Sequence, residues 1–180
     1  MFGSIFNIVS LSAYLIAYLV WYVTAFFYPE QQRQRESWYG FAQFKEQFQA
    51  SAIFGMLASV LCLISTALII PGAWIYAMSN AFWCIGEYHK KARPSPEDES
   101  YSSVRQVLYF RYSLLASIGS SVTAITATIV FFYPAAAFTV IAASLTISAG
   151  LMPTTTYYWA KCFFGDFPPD APIPHTYGII

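Results

Sequence analysis

Three stretches of this chain carry no Asp, Glu, Lys or Arg. They cover 1–29, 50–86 and 112–160, and span 29, 37 and 49 residues. All 18 charged side chains fall between or after them: six in 30–49, nine in 87–111 and three in 161–180. A soluble domain carries charge on about a quarter of its residues, against 10% here. With 57% of its residues hydrophobic, such a chain cannot cover its surface in water. Nine basic residues balance nine acidic ones, so there is no basic face for nucleic acid. Three scattered cysteines make no disulfide framework. An all-α integral membrane protein remains.

Length turns the charge map into a topology. A bilayer core is about 30 Å thick and a helix rises about 1.5 Å per residue, so one crossing takes about 20 residues. The first stretch makes one crossing. The second and third are each too long for one and long enough for two. Pro71-Gly72 interrupts the second and Pro134 the third, and proline removes a helical donor and disfavours helix in the residue before it. The sequence therefore predicts five transmembrane helices, one single span and two proline-turn hairpins, over 5–28, 50–70, 73–89, 105–133 and 136–152. The last has room to run past Pro153 toward Phe164. An interfacial amphipathic helix is expected besides.

The chain divides accordingly. A first span at 1–29 reads as a signal-anchor, since it has no basic flank and its apolar run exceeds that of a cleavable signal. An amphipathic segment follows at 30–49, then a first hairpin at 50–89 and a polar loop at 90–104. A second hairpin at 105–160 and a proline-rich tail at 161–180 complete the chain. Each hairpin returns to its starting side, so every charged segment shares one face. By the positive-inside rule that face is cytoplasmic or matrix-equivalent, with the N-terminus outside and the C-terminus inside. Hairpins that dip into one leaflet and return would give the same charge map, but the length between Arg105 and Pro134 favours full crossing.

Particular residues carry further expectations. Trp38, Phe41, Phe44 and Phe48 recur at helical spacing among charges, the pattern of a helix lying in the headgroup zone or of an extension of the second span. Tyr157, Tyr158 and Trp159 precede Lys161 as an interfacial aromatic belt. Lys90, Lys91, Arg93 and Arg111 are candidates for anionic lipid headgroups. Ser117, Ser121, Ala124 and Thr128 form a small-residue stripe on the fourth helix, and Thr139 and Ala143 belong to one on the fifth. Small residues four apart let helix backbones approach in lipid, so these two helices are expected to pack on each other, with part of the small face open to another subunit. Asn80, deep in the third helix, is expected to hydrogen-bond a neighbouring helix.

Nothing in the sequence assembles a reaction centre. His89 and His175 lie outside the spans, and no HExxH, CxxC or paired carboxylates occur. Glu87 and His89 are near in sequence, but alternate helix residues do not share a face. No enzymatic activity, metal or cofactor is expected, although bound phospholipid is. The leading expectation is a non-catalytic accessory subunit of a larger membrane complex, with other integral membrane subunits and lipids as partners and no nucleic acid. The alternatives are a membrane-organising or trafficking multispan protein with hydrophobic hairpins and an oligomeric channel for a neutral or weakly selected solute. Tyr101-Ser102-Ser103-Val104 and Tyr177-Gly178-Ile179-Ile180 fit a Tyr-x-x-bulky sorting signal.

Overall fold

A computed structural model describes residues 2–27, 44–92, 94 and 101–170. The described residues are all helix, turn or irregular, with no strand. Five long helices run in chain order: α1 (Phe2–Phe26), α2 (Phe44–Ile64), α3 (Ile69–Ala92), α4 (Ser103–Phe132) and α5 (Ala137–Phe164). All five are long and apolar enough to cross a membrane. Of the expected amphipathic segment, residues 44–49 form the first turns of α2, continuous with it. The rest, with Trp38 and Phe41, lies outside the described residues.

The hairpin turns show what stops a helix here. Pro134 acts as expected: α4 ends at Phe132, Pro134–Ala136 make one 3₁₀ turn, and α5 begins at Ala137. Pro71 does not. The break comes earlier, at Ser65, whose extended backbone and side-chain oxygen cap a 3₁₀ turn over Thr66–Leu68 by accepting from the Ala67 amide at 3.2 Å. Pro71 then sits in the first turn of α3, where a missing amide donor costs nothing because that turn has no intrahelical acceptor to lose. Gly72 serves packing instead: a Cβ there would stand 2.5 Å from the Cys62 sulfur of α2. Pro153 likewise fails to end α5, which continues to Phe164. Membrane-type helices tolerate an interior proline more readily than soluble ones do.

Among the described residues, backbones approach closely only between consecutive helices, α1 with α2, α2 with α3, α3 with α4 and α4 with α5. The tightest polar seam is in the first hairpin, where Ser51, Ala52, Ala58 and Ser59 of α2 and Ala77 and Ser79 of α3 are buried. The Ser51 and Ser79 hydroxyls each donate to the other residue's carbonyl at 2.7 Å. The small stripe of α4 faces α3 as well: Ala124 is fully buried, and Thr128 Oγ1 accepts from Trp74 Nε1 at 2.9 Å. The fourth and fifth helices do pack on each other, as expected, but the buried members of the α4 stripe are turned toward α3. Residue size along one helix sets how closely a neighbour can approach, not which neighbour comes.

The described charges collect at one end of the bundle. Lys45 and Glu46 open α2, Glu87, Lys90 and Lys91 close α3, Arg105 and Arg111 lie in the first turns of α4, and Lys161 ends α5. The chain after α5 folds back over this end. The Asp170 amide donates to the Tyr101 carbonyl, and Asp170 Oδ2 accepts from the Ser103 amide, both at 2.9 Å. A carboxylate on the free amides of a helix N-terminus satisfies an orphan donor and complements the helix dipole. Tyr101–Val104 is therefore tied into a helix start, and the other sorting-type tetrapeptide lies outside the described residues.

Candidate functional site

The helix row curves, and its concave side encloses a cleft of about 580 Å³. Each wall is a stripe with the same spacing. On α1, Tyr14, Tyr18 and Trp21 lie four and three residues apart. On α3, Tyr76, Asn80, Trp83 and Glu87 follow at four, three and four. On α4, Tyr109, Tyr112 and Ala116 do the same, and α5 closes the charged end with Trp159 and Phe163. Spacings of three and four put every member of a stripe on one helix face.

Rings bridge the space that the backbones leave. Tyr18 meets Tyr76 edge-on at 6.2 Å between centroids, Trp21 meets Trp83 at 5.8 Å, and Trp83 meets Tyr112 at 5.2 Å. Edge-to-face pairs of this kind add about 0.5–1.5 kcal/mol beyond area burial. They hold α1, α3 and α4 apart at fixed widths, which keeps the cleft from collapsing. Gly55 admits the Tyr18 ring against α2, since a Cβ there would overlap it. Gly86 does the same for Phe48, whose ring would stand 3.0 Å from a Cβ at that position.

Glu87 is the charged member of the wall. It is 8% exposed, and both oxygens are engaged: Oε1 accepts from Trp83 Nε1 at 2.9 Å and Oε2 from Gln106 Nε2 at 2.7 Å. The Gln106 amide also donates to the Glu87 carbonyl at 3.1 Å, tying α4 to α3. His89 points elsewhere, its Nδ1 3.1 Å from Gln47 Oε1 of α2. The two residues lie on different faces, as their spacing implied.

The sequence-derived candidates scatter relative to this cleft. Asn80 lines it, but its Nδ2 donates to the Tyr76 carbonyl of its own helix at 3.2 Å and not to a neighbour. A membrane helix offers a spare carbonyl lone pair closer than any partner helix does. Phe48 is buried against Trp21 and Gly86 and lines the cleft, so it is not an outward interfacial anchor. Phe44 begins α2. Tyr157 is exposed, Trp159 is on the cleft, and the Tyr158 hydroxyl accepts from Arg111 at 3.4 Å. Lys91 Nζ sits 4.8 Å from the Phe110 ring centre. Lys90 is half-buried near Glu87, and Arg93 lies outside the described residues. Ser117 and Ser121 are half-buried on α4, with Ser121 Oγ donating to the Ser117 carbonyl. Thr139 and Ala143 are exposed on α5.

Sequence reasoning missed the cleft, although its signal was present. The aromatic stripes on α1, α3 and α4 share one spacing, and each alone reads as ordinary core or lipid-facing surface. In the sequence Glu87 reads only as a neighbour of His89 with no shared face, and the Gln106 amide across the α3–α4 seam is what marks it as held inside.

The described residues contain no group of His, Cys, Asp and Glu placed to hold a metal ion. Cys62, Cys84 and Cys162 are free thiols. The fold defines a class, an all-helical chain compatible with a multi-pass membrane protein. No family model, curated protein or solved structure matches the chain.

Proposed function

We propose that this protein is a non-catalytic, multi-pass subunit of a larger integral membrane assembly, with its charged end on the cytoplasmic or matrix-equivalent side. The observation that supports this reading is the state of α5. Among the described residues the helix has close neighbours only in α4 and the turn before it, and Cys162 is its one buried residue. Its small residues Thr139, Ala142, Ala143, Thr146 and Gly150 are all exposed. Bulky apolar side chains facing lipid need no protein partner, because lipid tails are as apolar as leucine. Small and hydroxylic residues three and four apart gain from helix-to-helix contact that lipid does not supply. A second helix laid on this face would make that contact. Phospholipid fills the remaining apolar surface, and Lys90, Lys91 and Arg111 at the charged end supply positive charge for its headgroups.

The experiment is the mass of the native protein extracted in a mild, uncharged detergent. The expected result is a particle containing the 20.2 kDa chain and at least one stoichiometric integral membrane partner. A monomer with no stable partner overturns the proposal.

A further inference from the structure

We propose that the concave cleft binds a hydrophobic organic ammonium ion, with its cationic head beside Glu87 and Trp83 and its apolar body along Tyr14, Tyr18 and Tyr76. This inference is independent of the subunit reading. The cleft measures about 580 Å³, inside the range of about 300–1,000 Å³ typical of small-molecule sites. Its chemistry has one sign. The walls are aromatic rings, whose faces attract cations and prefer those with an apolar shell, as in the aromatic cages that hold quaternary ammonium groups. The lining contains one carboxylate and no Lys, Arg or His.

The basic side chains nearby are each engaged by a ring, and one of those rings, Tyr109, is in the cleft wall. Lys91 lies over Phe110 and Arg111 over Tyr158. Arg105 rests on the Tyr109 ring, with its Nε donating to the Cys162 carbonyl at 3.2 Å. Lys90 acts on Glu87 from one helical turn on, but it is not part of the lining. An anionic ligand would therefore meet a carboxylate, and the one cation resting on a wall ring, Arg105 on Tyr109, is already held by that ring and the Cys162 carbonyl. A neutral hydrocarbon would leave the carboxylate's remaining acceptor sites unmet. Glu87 uses one acceptor site on each oxygen for Trp83 and Gln106, and an ionised carboxylate offers about four. Capacity for a cation remains after its structural bonds are made.

The chemistry has two natural sources, the amine-bearing headgroup of a membrane lipid and a free hydrophobic cation. The test uses the full chain in an uncharged sugar detergent, titrated calorimetrically with hexyltrimethylammonium, hexanol and hexanesulfonate. The cation is expected to bind at least tenfold more tightly than the other two. Glu87→Gln should weaken it about tenfold, and Tyr14→Leu, at a half-exposed position, several-fold, with helical circular dichroism unchanged. Equal binding of hexanol or hexanesulfonate, or no binding of the cation, overturns the proposal whatever the variants do. Mass spectrometry of the purified protein separates the sources. A choline or ethanolamine lipid retained by the native chain and lost from Glu87→Gln identifies the headgroup. Cation binding with no retained lipid identifies the free ion.

Discussion

Ser51 and Ser79 exchange hydrogen bonds across the first hairpin, each hydroxyl donating to the other's backbone carbonyl at 2.7 Å, with both side chains wholly buried. The pair is sterically strict and energetically modest. Hydrogen bonds between membrane helices average about 0.6 kcal/mol, so Ser51→Ala should cost no more than about 1 kcal/mol. Ser79→Leu forces a large side chain into a full seam, and overpacking costs about 1–3 kcal/mol. Detergent-resolved thermal unfolding should show a clear drop for Ser79→Leu and a slight one for Ser51→Ala. The reverse order would mean that hydrogen bonding and not close approach holds α2 to α3.

Gly55 and Tyr18 form a second strict pair, because any Cβ at position 55 overlaps the ring. Gly55→Ala should displace Tyr18, loosen α1 from α2 and destabilise the fold by about 1–3 kcal/mol. Adding Tyr18→Ala should recover part of that loss, since it removes the obstacle. Unfolding midpoints for the two single variants and the double variant measure the coupling directly.

Gln106 should matter more than a typical surface amide. It gives Glu87 one of its two hydrogen bonds and donates to the backbone of α3 as well. Gln106→Leu leaves a buried carboxylate oxygen without its donor, a loss of about 1–3 kcal/mol. The double variant with Glu87→Leu should be less destabilised than the sum of the two, because both polar partners then leave together. Strict additivity would show that the two side chains do not share one network.

Asp170 holds the chain after α5 against the start of α4 through the Ser103 amide. Asp170→Ala should cost about 0.5–2 kcal/mol, the usual cost of losing a helix cap. Limited proteolysis should then cut between residues 165 and 170 faster than in the native chain. An unchanged cleavage rate would mean that the backbone bond to Tyr101 is sufficient.

For membrane sidedness, single cysteines at Thr66 and Ala135, in a background lacking the three native thiols, should label from the same side of the membrane. A cysteine at Asp166 should label only from the other. Labelling of all three from one side would establish hairpins that turn back within a leaflet.

How much of this was legible in the sequence depends on what each feature requires. The five long helices follow from charge-free lengths, because one dimension suffices to count crossings. The first hairpin turn moved from Pro71 to Ser65 because a proline in a first turn breaks nothing, whereas a serine cap starts a helix outright. The stripe through Ala124 and Thr128 was visible, but its partner was not, since a helix face does not name its neighbour. Glu87 and the rings of the cleft were readable as single stripes. Only the curvature of the row makes them meet.

That row has a consequence for biogenesis. Each helix finds its close backbone neighbours immediately before and after it in the chain. Among the described residues no closely packed seam joins helices distant in sequence, so each helix can dock as soon as it follows its predecessor. Contacts of this kind close short loops and keep folding fast. The cleft is the exception, because its walls come from both ends of the chain. It is complete only when α5, the fifth of the described helices, brings Trp159 and Phe163 into place. A nascent chain would thus acquire its packing helix by helix, and the closed cleft only once α5 has docked on α4.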